Sequence, residues 1–369
     1  MNPQRLVASG LYTRLSAPDT GIPLYLLAKR VAPSQQSFYF VNDGMSADGR
    51  FLWFYCGFPP SSDRVLGVVD HEAGTVTCYP DTQFLHASPW VEPASGRVYW
   101  TSGPVLYRRG PLPQDRVERV NALPAELIGG RPVSHLSTHL TLSADGRNFF
   151  VDGKIGTQYV FGTLPLDGGP FTEWHRFDRC HNHAMMSPVD PDAVLFAQEN
   201  HTDPQTGITI PITNRLWLLR RGEAPRPILR EPRAVTHEWW DPAGEHVWCV
   251  TGKETWRVRL SDGEVEKIPF PRHCWHSHSS PDGRFLVGDS CEAFFRGCPS
   301  TVHFMDRSTG KTVKILDNPG RADHAGQHYH IDPHPRFTAG GRFVHFTTTI
   351  RGEVDVALVA VDDLLARTA

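Results

Sequence analysis

Trp275-His-Ser-His-Ser-Ser-Pro-Asp-Gly-Arg-Phe-Leu-Val-Gly-Asp289 reads as strand, tight turn, strand. Its centre is Ser280-Pro-Asp-Gly283, and Asp-Gly is a turn that joins antiparallel strands. The same device recurs as Ser46-Ala-Asp-Gly49 and Ser143-Ala-Asp-Gly146. Looser copies are Pro93-Ala-Ser-Gly96, Ser187-Pro-Val-Asp190, Asp241-Pro-Ala-Gly244 and Thr338-Ala-Gly-Gly341. The first residues of these seven turns run from 46 to 338, so the six intervals average about 49 residues. Each turn is followed by a strand-like run, among them RFLWFYC, RVYWTS, RNFFVDG and RFVHFTT. Most repeats carry a second turn further on, as in Asp70-His-Glu-Ala-Gly74 and Ser261-Asp-Gly263. A repeat of this length holding four strands is a propeller blade. The expected fold is all-β: one seven-bladed β-propeller over residues 1–369, with four antiparallel strands per blade. The segment PLPQDRVERVNALPAELIGG has room for one short helical turn. A β-sandwich, or two smaller β-domains, is the competing architecture.

Composition narrows the function. The 369 residues carry 37 basic and 40 acidic side chains, a formal net charge of −3. That balance offers no nucleic-acid footprint and no polybasic membrane patch. The seven cysteines are odd in number and form no CxxC pair, so neither a disulfide framework nor a zinc knuckle is expected. The first twenty residues contain no long apolar run. Reduced thiols in a cytoplasm are the expected setting. The sequence leaves the oligomeric state open.

Histidines occupy one place in the repeat. Four residues before the seven turns stand Asn42, Pro89, His139, His183, His237, His276 and His334. Five of the seven are histidine, in a chain with 19 histidines in 369 residues. Equivalent blade positions converge on the propeller axis, so these side chains are expected to meet near one end of the central channel. A lone buried histidine usually just packs and hydrogen-bonds. Five at one register point to a cation or an anionic substrate, because clustered imidazoles repel when protonated.

The last repeat adds His330, Asp332 and His334, spaced to share one face of a strand. With His276 from the preceding blade they can grip a divalent cation. Mixed imidazole and oxygen ligands suit Mn, Fe, Ni or Zn better than Ca or Mg. His278 rivals His276, being two residues on and on the same face by alternation.

The stretches His183-Ala-Met-Met-Ser-Pro-Val-Asp-Pro-Asp192, Asn214-Arg-Leu-Trp217, His237-Glu-Trp-Trp240, Trp275-His-Ser-His278 and Pro333-His-Pro-Arg-Phe337 are similar in order and placement to the oligogalacturonate lyases. That family consists of seven-bladed-propeller polysaccharide lyases, and the resemblance runs through most of the chain. It implies a manganese ion held by three histidines and a glutamine, here His276, Gln327, His330 and His334. It implies His237 as the base and Arg215 as the arginine that shares the developing charge. One departure is local. The family has a single residue between its last two metal histidines, whereas three separate His330 from His334, with Asp332 in the middle. Either the strand bulges there or Asp332 replaces a ligand. The segment Asn200-His-Thr-Asp-Pro-Gln-Thr-Gly207 departs as well.

The expected chemistry is β-elimination on a short uronic-acid oligosaccharide. His183 is expected beside the reacting centre, assisting the leaving group. His139, Asn42 and His278 are expected to contact substrate. Glu238 is expected to face away, as a structural residue. The competing functions are another metal-dependent enzyme on acidic sugars, such as a hydrolase or epimerase, and a propeller scaffold without catalysis.

Overall fold

The computed structural model describes residues 9–85, 88–270, 273–290, 300–319, 329 and 331–369. Seven antiparallel sheets follow one another around a ring. Blade 1 runs outward from Ser34–Gln36 through Phe51–Gly57 and Arg64–Asp70 to Thr75–Phe84. Blade 2 runs from Trp90–Val91 to Glu118–Ala122, and blade 3 from Val133–His135 and Thr141–Leu142 to Thr172–Phe177. Blades 4, 5 and 6 start at His181–Met186, Thr236–Trp240 and Ser277–Ser279.

Blades 3 and 7 each add a fifth strand to the four-strand plan, and blade 7 draws on both ends of the chain. Its strands Arg336–Thr338, Phe343–Thr348 and Asp355–Ala360 come from the end of the chain. Two more, Pro23–Leu27 and Tyr12–Ser16, come from its beginning and complete a five-stranded sheet. The ring is therefore closed by hydrogen bonds between the two ends of the chain. Closure joins the first and last blades, and each blade keeps only a short outer edge strand.

Alternation packs the ring. The second strand of each blade is buried on both faces, and neighbouring residues serve opposite sides. Phe149 packs toward blade 2, among Tyr99 and Leu106. Phe150 packs toward blade 4, among Met186 and Val194. Val247 joins the cluster with blade 4 and Trp248 the cluster with blade 6. Seven hydrophobic clusters result, one at each interface between neighbouring sheets.

The repeated turn is built as its residues suggest. The Ser280 hydroxyl donates to Asp282 at 2.5 Å and accepts from the Phe285 N–H at 2.9 Å. Asp282 accepts from the Arg284 N–H at 3.1 Å. Gly283 takes a left-handed backbone with φ 69°, which glycine alone enters without steric cost. The turns at Ser46 and Ser143 make the same bonds. The expected helical turn is Ala125–Ile128, and a second helix, Val361–Thr368, ends the chain.

Candidate active site

The inner strands break at the histidine register. In blade 4 the pairing slips between Asn182 and Met185, and in blade 5 between Thr236 and Trp239. At these bulges His183 and His237 have φ of 54° and 52°, and His334 in blade 7 has φ 47°. A left-handed backbone is uncommon outside glycine and costs a non-glycine residue roughly 1–2 kcal/mol. Three blades bear that cost at one register, and the bulges in blades 4 and 5 each re-aim a side chain.

Three of the register histidines meet around Tyr39. Its ring lies 4.9 Å from that of His139, 4.8 Å from His334 and 5.7 Å from His276. His139 contacts His183 at 4.9 Å, and His276 contacts His237 at 4.2 Å and His334 at 4.3 Å. All five histidines border one cavity of about 630 Å³. No aspartate or glutamate is among the described residues that wall it. Burial, reinforced by neighbouring charged groups, holds His139, His183 and His237 well below the ordinary imidazole pKa. These rings are therefore neutral near pH 7 and have lone pairs to offer.

The cation-binding expectation has a concrete counterpart. Nitrogen and oxygen atoms of His276, Asp332 and His334 lie within 4.8 Å of one another, all three residues buried. This is a donor set of the kind that first-row divalent metals accept. His276 is oriented from behind by Asp289, whose two carboxylate oxygens each accept from His276 Nδ1 at 3.0 Å. Nδ1 is thereby spoken for, and Nε2 is the nitrogen left to ligate. Asp289 also accepts from the backbone N–H of His276 at 2.8 Å and of His334 at 2.9 Å. One carboxylate thus locks both histidines from two blades, the arrangement that fixes ligand orientation in metal sites. Gln327 and His330 lie outside the described residues. Asp332 stands with His276 and His334 in the cluster formed by the described residues.

Other expected site residues land elsewhere. His278 borders a second cavity of about 320 Å³, with Trp239 and Arg336. Alternation puts His276 and His278 on one face, but the inner strand runs along the channel, and two residues advance it by about 6.6 Å. His276, and not its rival His278, is therefore the histidine of the cluster, and His278, expected to contact substrate, does not border the large cavity. Asn42 is also corrected as a substrate contact. Its side-chain N–H groups donate to the carbonyls of Ser88, Pro89 and Leu140 at 3.0, 2.7 and 3.1 Å. It ties the first three blades together.

Arg215 is buried and does not border the large cavity. Its Nε donates to Glu238 at 2.9 Å, and its Nη1 is ion-paired with Glu199. Burial works against its charge, yet the two glutamates raise its pKa further. Glu199 in turn lies 3.5 Å from His183 Nδ1, which also contacts Asn182 Oδ1 at 2.6 Å. Glu238 is buried and serves Arg215, as its expected structural role requires. The segment after Asn200 forms a small hairpin, His201–Thr202 with Thr209–Ile210, whose second strand is exposed.

Sequence reasoning missed Asp289 and Tyr39. Asp289 had a signal. It stands six residues after the turn glycine, and Asp152 stands at the same place after Gly146. Asp152 plays the matching part, accepting from the backbone N–H groups of Thr138 at 2.6 Å and Ala184 at 3.2 Å. Tyr39 had no comparable mark.

No family model matches the chain. It is 26% identical over 203 residues to the oligogalacturonide lyase of Pectobacterium atrosepticum, which covers 49% of this chain and 50% of that protein. It is 23% identical over 222 residues to the oligogalacturonate lyase of Dickeya dadantii, covering 54% and 55%. The matched part spans about half the length of these curated relatives. Among solved structures, an oligogalacturonate lyase in complex with manganese superposes with a TM-score of 0.76. That match is 18% identical and covers 95% of this chain and 96% of the other, so it shows the shared seven-bladed fold.

Proposed function

We propose that this chain is a lyase that cleaves short oligogalacturonates by β-elimination, with a divalent cation, manganese first, held by His276, Asp332 and His334. The observation that carries this is the contact between His237 and the donor cluster, with ring centres of His237 and His276 4.2 Å apart in a cavity whose described wall has no acid. The similarity to oligogalacturonate lyases over half the chain supports the substrate class.

Elimination needs the C5 proton removed from a carbon beside a carboxylate, and the resulting enolate concentrates negative charge. A cation at the cluster would supply electrostatic stabilisation of that charge. The remaining work belongs to the side chains. His237, neutral at its buried position, takes the C5 proton. The electron pair of that C–H bond becomes the C4–C5 double bond as the C4–O4 bond breaks. O4 leaves with its electrons and takes a proton from solvent, to which His237 afterwards returns the one it removed. His183 and His139 face the same cavity and border the departing sugar. Arg215 acts at one remove, holding Glu199 against His183.

Among the described residues no helix is long and apolar enough to cross a membrane. We place the activity in a cytoplasm, on short oligouronates already taken up, an inference that fits the five cysteines found free among the described residues. The test is ultraviolet absorbance over time with digalacturonate and trigalacturonate. A rise that chelator stops and manganese restores is the expected result. No rise with any oligouronate, on protein shown to contain metal, would overturn the reading.

A further inference from the structure

The cavity that holds the histidines extends well beyond them. Across it, on blades 1 and 3, stand two cations that the elimination step does not use: Arg64 and Lys154. Arg64 opens the third strand of blade 1, and Lys154 lies in the second strand of blade 3. Among the described residues, neither makes a hydrogen bond or an ion pair through its side chain. The guanidinium of Arg64 instead lies 4.8 Å from the Tyr55 ring centre and 5.5 Å from that of Tyr329. The ammonium of Lys154 lies 5.6 Å from the Tyr159 ring centre.

This contrasts with other arginines of the chain. Arg215 has two glutamates, Arg109 has Asp81, and Arg50 has Asp70 and Glu72. A half-buried cation without a counter-ion is costly, because burial penalises charge that nothing offsets. The Arg64 guanidinium is also held in place. Tyr329 donates from its hydroxyl to the Ser61 carbonyl at 2.7 Å. Its ring lies so close to Gly57 that a side chain at Gly57 would approach it to 2.6 Å. Stacked rings keep a planar guanidinium fixed while its N–H edge stays available for a carboxylate.

We infer that Arg64 and Lys154 form an anion subsite that receives the carboxylates of the uronate units flanking the one being cleaved. The inference rests on the oligouronate reading above and deepens it. A single uronate offers one carboxylate, and the donor cluster takes that one. A chain of uronates offers one carboxylate per sugar, and the cavity has cations placed for the others. The subsite thus selects unesterified oligouronates and disfavours neutral sugars.

Two measurements test this on the full chain. The first is steady-state cleavage of trigalacturonate by the manganese-loaded wild type, Arg64→Met and Lys154→Met. Loss of an ion-paired hydrogen bond predicts a rise in KM of about tenfold to a hundredfold for Arg64→Met. The loss should sit in KM far more than in kcat, with manganese affinity and melting temperature near wild type. Arg64→Lys should recover part of it. The second is calorimetric binding of digalacturonate and of its carboxyl-reduced neutral analogue to chelator-treated protein, which cannot turn over. Wild type should prefer the acid, and Arg64→Met should lose most of that preference. An unchanged KM with the preference intact would overturn the subsite, as would a loss confined to kcat. Absence of turnover in the wild type would sink the lyase reading, while the calorimetry would still decide the subsite.

Discussion

Asp289 grips His276 from behind, with both carboxylate oxygens 3.0 Å from Nδ1, and reaches the backbone of His334 in the next blade at 2.9 Å. Its oxygens accept from both residues, so an amide cannot replace it. In Asp289→Asn one oxygen becomes a donor facing other donors. Metal affinity should fall about tenfold to a hundredfold, the usual effect of losing such a partner. Manganese titration of the folded variant checks this, and an unchanged affinity would show that Asp289 only serves the fold.

His237 and His276 have touching rings and different proposed tasks. His237→Ala should abolish the absorbance rise with digalacturonate while manganese still binds. His276→Ala should lose the metal and the activity together. Metal analysis of both purified variants, beside their rates, separates the two roles. Full rate in His237→Ala would remove it as the base.

Arg215 neutralises two glutamates, Glu238 buried and Glu199 half-buried. Arg215→Met leaves both without their partner. The expected loss is about 3–5 kcal/mol of stability, as for other broken buried ion pairs. Thermal and urea unfolding measure it. A variant that melts like wild type but is inactive would instead put Arg215 in direct contact with substrate.

Asp306 gives a pH prediction away from the site. It accepts from Arg284 at 2.7 Å and from the Ser308 hydroxyl at 2.6 Å. Bonds from Arg284, then from Ser308, outweigh its burial and hold its carboxyl down to about 2, against 3.8 ordinarily. A lowered folded-state pKa stabilises the fold above the unfolded value, and that stability disappears as pH falls from about 4 through 2. Arg284 is half exposed, so screening trims the contribution to about 1–2 kcal/mol. The stability difference between wild type and Asp306→Asn should therefore shrink between pH 4 and pH 2. A difference that stays constant over that range would refute the assignment.

Much of this molecule is legible in its sequence. Seven turns spaced 39 to 58 residues apart mark seven blades, because a Ser-x-Asp-Gly turn is shaped by hydrogen bonds among its own neighbouring residues. Runs such as Asn148-Phe-Phe-Val-Asp152 declare strands buried on both faces, since alternation sends Phe149 and Phe150 to different neighbouring blades. The histidine register is legible for the same reason. Whatever repeats with the blade must converge where the blades converge.

Other features depend on depth and on ring closure, which alternation does not encode. Period-two alternation gives the face a side chain occupies and not its height along the channel, so His276 and His278 looked equivalent and border different cavities. The left-handed backbone at His183 and His237 accompanies register slips in their strands, and that at His334 lies just before the first strand of blade 7. Asn42 bonds to three carbonyls that only the assembled ring brings within reach. Arg64 meets Tyr329 because closure sets blade 1 beside blade 7. The sequence by itself determined the number of blades and the ring of imidazoles, because both are local rules repeated. Only the tertiary structure decided which carboxylate backs which histidine and which cations face the cavity, because those contacts join residues far apart in the chain.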